Sequence, residues 1–408
     1  MMSNVFDERV EFAVQNLWVI PNVEKSREAR RMLEEAAGEG DGDACFFLAR
    51  CCFGESFVDP RFGFEDDDEK GERWLEKGLE RGSAVTMFGA MRVGGFKPGK
   101  GTFVYPPYSS LREIWDQVEK KAMAGQVFCK YMIANAYFYG DVIQFMGMDS
   151  NAVSLANVVD FQNRAISLYE GIIASGSVLG ISNLINIITS GDYGMPKNEK
   201  RARELRHIGA SRGVASFERM EGRDLEEAGN IQEAAEMYER AMEHNDADAC
   251  YRLGRLYSYN GKLPLDLKKA IECFSRGIEL SEDVTGCCNR LGEIYFYGGQ
   301  DIEPDYNRAV ELFLRVRADN SWSSDMLGTC YLKGWGIQQD YGAARKEFEV
   351  KPSSCLCSLG LGEIYAYGRG VKRDIKKAME YWNRFPDHPR VIEYKSHFKK
   401  TLFGWSEV

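Results

Sequence analysis

The stretch Leu361-Gly-Glu-Ile-Tyr-Ala-Tyr-Gly-Arg-Gly-Val-Lys-Arg-Asp-Ile-Lys-Lys-Ala378 decides the fold. Its first part runs into Gly368, which can take the left-handed conformation that ends a helix. After a short loop, Asp374 can accept hydrogen bonds from the free amides of a starting helix, so it is expected to cap a second helix. The stretch therefore predicts a helical hairpin.

The same pattern occurs four times in the C-terminal part of the chain. Its leading leucine is residue 253, 291, 327 and 361, with spacings of 38, 36 and 34 residues, and a Gly and a Tyr follow at fixed positions. An Asp comes next, then an Ala four residues later and an aromatic residue four residues after that. Ala and the aromatic residue share one helix face, so the small residue admits a neighbouring helix while the ring fills the gap. The predicted core includes Leu253, Tyr257, Ala270, Phe274, Leu291, Tyr295, Ala309 and Phe313.

Weaker copies continue the pattern toward the N-terminus. The residues equivalent to the leading leucine are Leu48, Phe88, Ile133, Leu184 and Met220. Asn198 and Asn230 replace the capping Asp, and inserted loops are predicted at 96–108 and 141–157. The fold class predicted from these copies is all-α: a superhelix, or solenoid, of about nine antiparallel helical hairpins.

At these residues the sequence resembles the Sel-one-like repeat family, which is related to tetratricopeptide repeats. The copy at 361–378 reproduces nearly the whole family motif, and the copy that contains Met220 looks more like an ordinary tetratricopeptide repeat. The resemblance implies stacked hairpins and a role in organising protein complexes. Such a role is carried over by analogy of fold and does not name a partner.

The repeat pattern gives four regions. Residues 1–42 are expected to form N-terminal helices that cap the array, 43–245 divergent repeats with inserted loops, and 246–386 regular repeats. Residues 387–408 are expected to form a C-terminal capping helix, because Val391, Tyr394, Phe398, Leu402 and Phe403 recur at helical spacing. The alternative for that helix is that it binds a partner or a second copy of the chain.

Composition limits the possible functions. The formal net charge of −10 argues against nucleic-acid binding, which needs clustered Lys and Arg. The first twenty residues lack the unbroken apolar stretch of a signal peptide. The sequence also contains no run of eighteen apolar residues, so membrane insertion is not expected. The eleven cysteines include no CxxC pair, so free and mostly buried thiols are expected, with a disulfide scaffold as the alternative. A cytoplasmic protein without metal or cofactor is the resulting expectation.

Three features invite a catalytic interpretation, and the repeat or the charge pattern explains each one better. The segment 94–102 falls one residue short of a phosphate-binding loop, but it follows a helix and leads into Pro106-Pro107. The acidic run 65–69 lacks the spacing of calcium ligands, and it is better explained as the solvated N-terminus of a helix. The four histidines are dispersed along the chain, without a recurring catalytic partner.

The leading hypothesis is therefore a non-catalytic scaffold or adaptor that binds a peptide or protein segment on the concave face of the superhelix. The alternative is a sensor that closes on a small ligand or peptide, suggested by the two inserted loops. An enzyme is the third hypothesis, and no catalytic set remains to support it once the repeat is accounted for.

If the hairpins pack as tetratricopeptide repeats do, fixed first-helix positions face the concave side. These positions, counted from the leading leucine, predict the partner-binding residues Phe128, Tyr131, Asn135, Tyr139, Tyr251, Arg255, Tyr259, Asn289, Glu293, Tyr297, Trp322, Lys333, Glu363 and Tyr367, with Phe138, Phe296 and Asp325 beside them. Tyr, Trp and Arg commonly dominate binding energy at interfaces. The alternative is that these rings pack between adjacent first helices inside the array.

Overall fold

The computed structural model describes residues 4–22, 24–54, 67–191, 197–258, 263–281, 283–317, 321–350, 354–401 and 404–407. The chain forms two compact units, one over Met1–Glu221 and the other over Gly222–Val408. Each unit is a stack of antiparallel helical hairpins with its own apolar clusters. The all-α solenoid class predicted from the sequence is confirmed.

The first unit begins with a helical pair that precedes the predicted hairpins, and four hairpins follow. Its helices are α1 Glu8–Val14, α2 Ser26–Gly38, α3 Gly42–Cys52, α4 Asp68–Glu80, α5 Ala84–Ala90, α6 Leu111–Met123, α7 Val127–Tyr139, α8 Val142–Phe145, α9 Leu155–Ala174, α10 Ile181–Ser190 and α11 Glu199–Ser211. A π-helical turn, Gln15–Val19, continues α1, and a 3-10 turn, Ser150–Ala152, precedes α9. The helix α12, Ala215–Glu227, crosses the boundary between the units.

The second unit holds the regular repeats. Its helices are α13 Ile231–Glu243, α14 Ala247–Ser258, α15 Leu267–Leu280, α16 Thr285–Tyr297, α17 Tyr306–Arg315, α18 Ser321–Lys333, α19 Tyr341–Glu349, α20 Cys355–Tyr367, α21 Ile375–Trp382 and α22 Pro389–Ser396. Two short strands follow, β1 Phe398–Thr401 and β2 Gly404–Glu407. In each hairpin we call the helix that carries the leading apolar residue the first helix; these are α3, α5, α7, α10, α12, α14, α16, α18 and α20, so the described ranges contain nine hairpins.

The Asp of each regular hairpin takes part in two hydrogen bonds, one as acceptor and one as donor. The carboxylates of Asp266, Asp305, Asp340 and Asp374 accept a backbone N–H three residues on, at 2.9–3.1 Å, which confirms them as N-caps. Their own backbone N–H groups donate to the carbonyls of the first-helix tyrosines 257, 295, 331 and 365, at 2.7–3.0 Å. Asn198 caps α11 in the same way, whereas Asn230 begins α13 without a side-chain hydrogen bond.

The Gly of the Leu-Gly motif lies under the aromatic ring of the second helix. A Cβ built at Gly254, Gly292, Gly328 or Gly362 would come within 2.0–2.6 Å of Phe274, Phe313, Phe348 or Trp382 respectively. The ring therefore lies directly against the backbone of the first helix. The close approach needs Gly at this position, because any side chain would have to displace a buried ring.

The register predicted for the regular repeats is confirmed at its apolar positions. Leu253, Leu291, Ala270, Ala309 and the aromatic residues that follow are buried. Tyr257 and Tyr295 are half-buried, because their rings lie at the hairpin edge beside Lys269 and Arg308. All eleven cysteines are free thiols, and ten are buried. Burial raises the pKa of Cys273, Cys287, Cys330 and Cys357 to about 12, so these thiols are poor nucleophiles.

The prediction of one C-terminal helix to residue 403 is wrong beyond Ser396. The helix α22 ends there, and Phe398–Thr401 pairs antiparallel with Gly404–Glu407. Val391 and Phe398 are both buried, and the Phe398 ring lies 5.9 Å from the Trp382 ring. The predicted apolar residues 391 and 398 therefore do pack on the last hairpin, one from a helix and the other from a strand. Leu402 and Phe403 lie outside the described residues.

The insert at 96–108 is anchored to the core of the first unit. Phe96 and Tyr105 are buried in it, 6% and 5% exposed. The second insert, at 141–157, contains α8 and the 3-10 turn, and Val142 and Phe145 are buried there. Both inserts thus carry their own packing residues.

Candidate protein-binding surface

The first helices of four successive hairpins line a cavity in the first unit. The helices α3, α7 and α10 and the segment 88–92 at the end of α5 contribute to its lining, and its volume is about 210 Å³. Four predicted partner-binding residues line it, namely Phe128, Tyr131, Asn135 and Tyr139. We call it the first-helix cavity. The four residues were predicted from their positions in the first helix, and in the structure they lie around one cavity.

Aromatic rings form the floor of the first-helix cavity. Phe46, Phe88 and Phe128 line it and are almost fully buried. The Phe46 ring lies so close to α5 that a Cβ at Gly89 would be 2.1 Å from it. The guanidinium carbon of Arg50 lies 5.8 Å from the Phe46 ring centroid and 5.2 Å from that of Phe128, so this cation is held over the aromatic floor.

A polar network forms one wall. The Tyr169 hydroxyl donates to Asn135 Oδ1 at 2.6 Å, and Asn183 Nδ2 donates to the same oxygen at 2.7 Å. Asn183 Nδ2 also lies 3.1 Å from the Tyr169 hydroxyl oxygen. Burial raises the pKa of Tyr169, so its hydroxyl keeps its proton and acts as the donor. The network fixes both amide groups at the cavity.

The rim is formed by an arginine stacked on a tyrosine. The Arg92 guanidinium lies 4.0 Å from the centroid of the Tyr139 ring, and its Nε is 3.3 Å from Asp141 Oδ2. Burial raises the pKa of the Asp141 carboxyl, although the Arg92 charge opposes that shift. Tyr139 is 56% exposed, so one face of the rim is open to solvent.

In the second unit several predicted partner-binding residues are bonded inside the stack. Asn289 accepts a hydrogen bond from the Ser323 hydroxyl at 2.7 Å, and Cys357 donates to Asp325 at 2.7 Å. These bonds join successive first helices. The prediction that Asn289 contacts a partner is corrected, because its side chain is buried between α16 and α18 and its Oδ1 is bonded to Ser323. Glu293 pairs with Arg290 on its own helix at 2.7 Å.

The last hairpin is covered by the chain's own C-terminal segment. Glu363 is buried and pairs with Lys333, at 2.7 Å, and with Arg369. Tyr394 of α22 donates to the other Glu363 oxygen at 3.2 Å. Burial, and next the Glu363 charge, raise the pKa of Tyr394 to about 12. The prediction that Glu363 faces a partner is therefore corrected.

The tyrosines six residues after the leading apolar residue do not form one continuous exposed row. Tyr139 and Tyr297 are exposed, the latter by 61%. Tyr367 is half-buried, with its ring 5.8 Å from Phe398 and its hydroxyl 3.2 Å from His397 Nδ1. Tyr259 lies outside the described residues. The ring of Tyr367 therefore packs against the chain's own C-terminal segment, a contact that neither the partner-binding prediction nor its alternative, packing between adjacent first helices, included.

The remaining predicted residues are accessible in part. Tyr251 and Arg255 are half-buried on α14, with the guanidinium 5.8 Å from the ring, and Tyr251 also packs beside Phe274. Trp322 on α18 is 38% exposed. Together with Tyr297, these residues give the second unit scattered accessible aromatic groups, whereas the first unit has a cavity that is open at its rim.

Sequence reasoning missed three polar residues of the first-helix cavity. Arg50 is two residues after Leu48, one of the positions used for the other hairpins, so the same rule would have found it. Arg92 lies beyond the end of α5, and Asn183 directly precedes Leu184, so neither occupies a position that the rule counts. Their place in the cavity follows from how α5 ends and how α10 packs.

The segments that invited a catalytic interpretation have structural roles. Residues 94–102 form an irregular loop between α5 and α6, without a preceding strand or a helix start. Asp67 caps α4, with Asp68 and Glu69 in its first turn, whereas 65 and 66 lie outside the described residues. His388 caps α22. In the described ranges no group of His, Cys, Asp and Glu is placed to hold a metal ion.

The repeated hairpins, with their first helices gathered on one face of each unit, define an α-helical hairpin-repeat protein. The sequence matches the Sel1 repeat at residues 42–83, 189–214, 215–246, 247–282, 286–315, 325–346 and 354–385, more than half of the chain. The chain belongs to the Sel1 repeat family. The hairpins α5 with α6 and α7 with α9 lie between the first two matches and continue the stack.

Parts of the chain are also similar to individual proteins. The chain is 29% identical over 191 residues to cytochrome c oxidase assembly factor 7 of Xenopus tropicalis, which covers 43% of this chain and 78% of the relative. It is 29% identical over 93 residues to the ERAD-associated E3 ubiquitin-protein ligase component HRD3B of Arabidopsis thaliana, 22% of this chain but only 14% of the relative. Among solved structures, a protective antigen of uropathogenic Escherichia coli strains with an SLR fold has a TM-score of 0.50 at 21% identity, covering 88% of this chain and 71% of that chain.

The family is a non-enzymatic scaffold fold, and its members generally act in protein interaction. None of the helices in the described ranges combines the length and apolar character that crossing a membrane requires.

Proposed function

We propose that this protein is a non-catalytic scaffold that binds a segment of another protein at the first-helix face, predicted from the sequence to be the concave side. The observation that carries the proposal is the first-helix cavity, to which four successive hairpins contribute polar and aromatic side chains. Surfaces assembled from repeated hairpins are suited to extended segments, because each hairpin adds its own contacts.

The size of the cavity favours a protein segment over a small-molecule ligand. Small-molecule sites usually enclose roughly 300–1,000 Å³, whereas this cavity encloses about 210 Å³. It accommodates a side chain that projects from a longer chain. The alternative, a ligand-responsive sensor, is less well supported, because Phe96 and Tyr105 anchor one of the two inserted loops that suggested it in the core of the first unit.

The names of the two relatives describe roles that involve other proteins: one is an assembly factor, and the other is a component of a ubiquitin-protein ligase. A scaffold role for this chain is consistent with both names. Its cytoplasmic location and its lack of nucleic-acid partners stay predictions from sequence.

Site-specific photo-crosslinking tests the proposal. Benzoylphenylalanine is placed at Tyr139 on the cavity rim and, in a matched control, at Arg31 on α2, where the side chain is 60% exposed. In an extract of the native source we expect protein adducts from position 139 that are missing from position 31. Identical adducts at both positions, or none from position 139, would refute binding at this face.

A further inference from the structure

We propose that a groove between two second helices of the first unit binds an amphipathic α-helix of another protein. The helices α6 and α9, the second helices of neighbouring hairpins, form its walls, α7 forms its floor, and its volume is about 390 Å³. We call it the second-helix groove. Its apolar lining residues are Ala122, Met123, Ile133, Tyr137 and Leu168.

The second-helix groove is separate from the site of the proposed function. Among the described residues the groove and the first-helix cavity have no lining residue in common. On α7 the cavity is lined by residues that include Phe128 and Asn135, and the groove by Lys130, Ile133 and Tyr137. At 3.6 residues per turn, these two sets lie about 180° apart around the helix axis. Each site can therefore be occupied without the other, and two segments can be held on opposite sides of one helix.

The shape of the groove fits a helix. Lys130, Ile133 and Tyr137 recur at helical spacing, so they form one stripe about two turns, or roughly 10 Å, long. The helices α6 and α9 both pack against α7 and both line the groove. A helix laid between these walls would follow the stripe along its length. Binding of a helix in a groove uses anchor residues at i, i+3 or i+4 and i+7, which span the same two turns.

The groove exposes apolar surface that such a helix would cover. Met123 ends α6 and is 78% exposed, the highest value for a large apolar side chain in the described ranges. Ile133 and Ala122 form the floor beside it and are 5% exposed, and Leu168 is half-buried on the opposite wall. Methionine is unbranched and adapts its shape to a partner. An apolar groove with polar side chains at its rim is typical of an interaction site.

Two opposite charges in the lining define the chemistry of the partner. Glu119 and Lys130 are half-buried, and within the described ranges neither side chain takes part in an ion pair or a hydrogen bond. Arg164, by contrast, is already paired with Asp160 at 2.8 Å. Covering an unpaired charge is costly, so a partner has to bring a basic residue to Glu119 and an acidic one to Lys130. A helix supplies both from its own side chains, whereas a small molecule would need both charges at one fixed separation.

A selection of displayed helices on the full chain tests the second-helix groove. The library consists of peptides of about eighteen residues, long enough to form a helix on their own, with random residues along one face and at its borders. Binding of the enriched peptides is measured by fluorescence anisotropy to the wild type, to Met123→Gln and to Leu155→Gln. Leu155 is the matched control, because it is 66% exposed and does not line the groove. Circular dichroism verifies the fold of each variant.

We expect enriched peptides that are helical when bound and whose affinity falls at least tenfold with Met123→Gln but not with Leu155→Gln. Lys130→Glu should weaken binding by a similar factor, and changing the acidic residue of the peptide to Lys should restore binding to that variant. If Lys130→Glu is unfolded, the exposed position 123 decides alone.

Peptides that bind Met123→Gln as tightly as the wild type overturn the groove. If those peptides instead lose affinity for Tyr139→Ala, they occupy the first-helix cavity, and the proposed function stands. A wild type that sediments as a dimer, and as a monomer with Met123→Gln, overturns the partner helix in favour of a second copy of the chain. A selection that enriches no helical peptide overturns the proposal as well.

Discussion

At Gly292 a single methyl group would have to share space with a buried ring. The Cβ of an alanine there would lie 2.5 Å from Phe313, which is fully buried between α16 and α17. We expect Gly292→Ala to lower the free energy of unfolding by about 1–3 kcal/mol, as overpacking of a rigid core does. Urea denaturation followed by circular dichroism measures the change.

The matched control is Gly171→Ala in α9, because no atom outside its own helix lies within 4 Å of the added Cβ. Alanine favours a helix interior over glycine by about 1 kcal/mol, so the control is expected to be neutral or stabilising. Equal losses at the two sites would contradict the role assigned to the Leu-Gly motif.

The roles of some residues could be predicted from the sequence, and the roles of others could not. The capping role of Asp374 could be predicted, because it depends on the amides of the next three residues. The role of Gly362 could not, because it depends on a ring twenty residues away, in Trp382. In the first-helix cavity, Asn135 follows from its position in the hairpin, whereas Arg92 depends on where α5 ends.

At the scale of elements, the C-terminal segment is an intramolecular cover for the last hairpin. The helix α22 places Val391 in the core, fully buried, while the next residue, Ile392, is 58% exposed. We expect Val391→Ala to cost about 1–3 kcal/mol, from lost apolar burial and the cavity it leaves. Thermal unfolding would show this as a lower midpoint.

Ile392→Ala is the paired control on the same turn of α22. A surface substitution usually changes stability by no more than about 0.5 kcal/mol. Comparable losses from both variants would mean that α22 does not pack on the last hairpin as described. No loss from either would favour the hypothesis that this helix serves a partner.

The sequence could not distinguish a long helix from a helix followed by a strand in this segment. Val391, Tyr394 and Phe398 recur at helical spacing, and periodicity reports only which residues are buried. The strand at Phe398 depends on pairing with Glu407 and its neighbours. Such pairing is a contact between separate segments, so the residues of one segment alone do not predict it.

At the scale of the whole molecule, two units with separate apolar clusters predict unfolding in more than one step. Repeat arrays lose cooperativity when neighbouring parts differ in stability. Gly209→Ala in the first unit, where the Cβ would lie 2.3 Å from Phe217, and Gly292→Ala in the second should each destabilise mainly their own unit. Hydrogen–deuterium exchange at increasing urea, read peptide by peptide, separates the two effects.

A control for this experiment is the wild type, whose peptides should fall into two groups with different urea dependence. If both variants instead accelerate exchange equally throughout the chain, the protein unfolds as one cooperative body, and the division at Glu221 has no energetic meaning.

The hydrogen bond from the Asp backbone N–H to the tyrosine carbonyl has a consequence for the gene as well as for the fold. Because this bond closes a hairpin on itself, a coding segment that runs from the start of one first helix to the start of the next specifies a complete hairpin. Unequal crossing-over can add or remove such a module without breaking a closure elsewhere. Array length is then free to drift between lineages, while the chemistry of each hairpin is inherited intact.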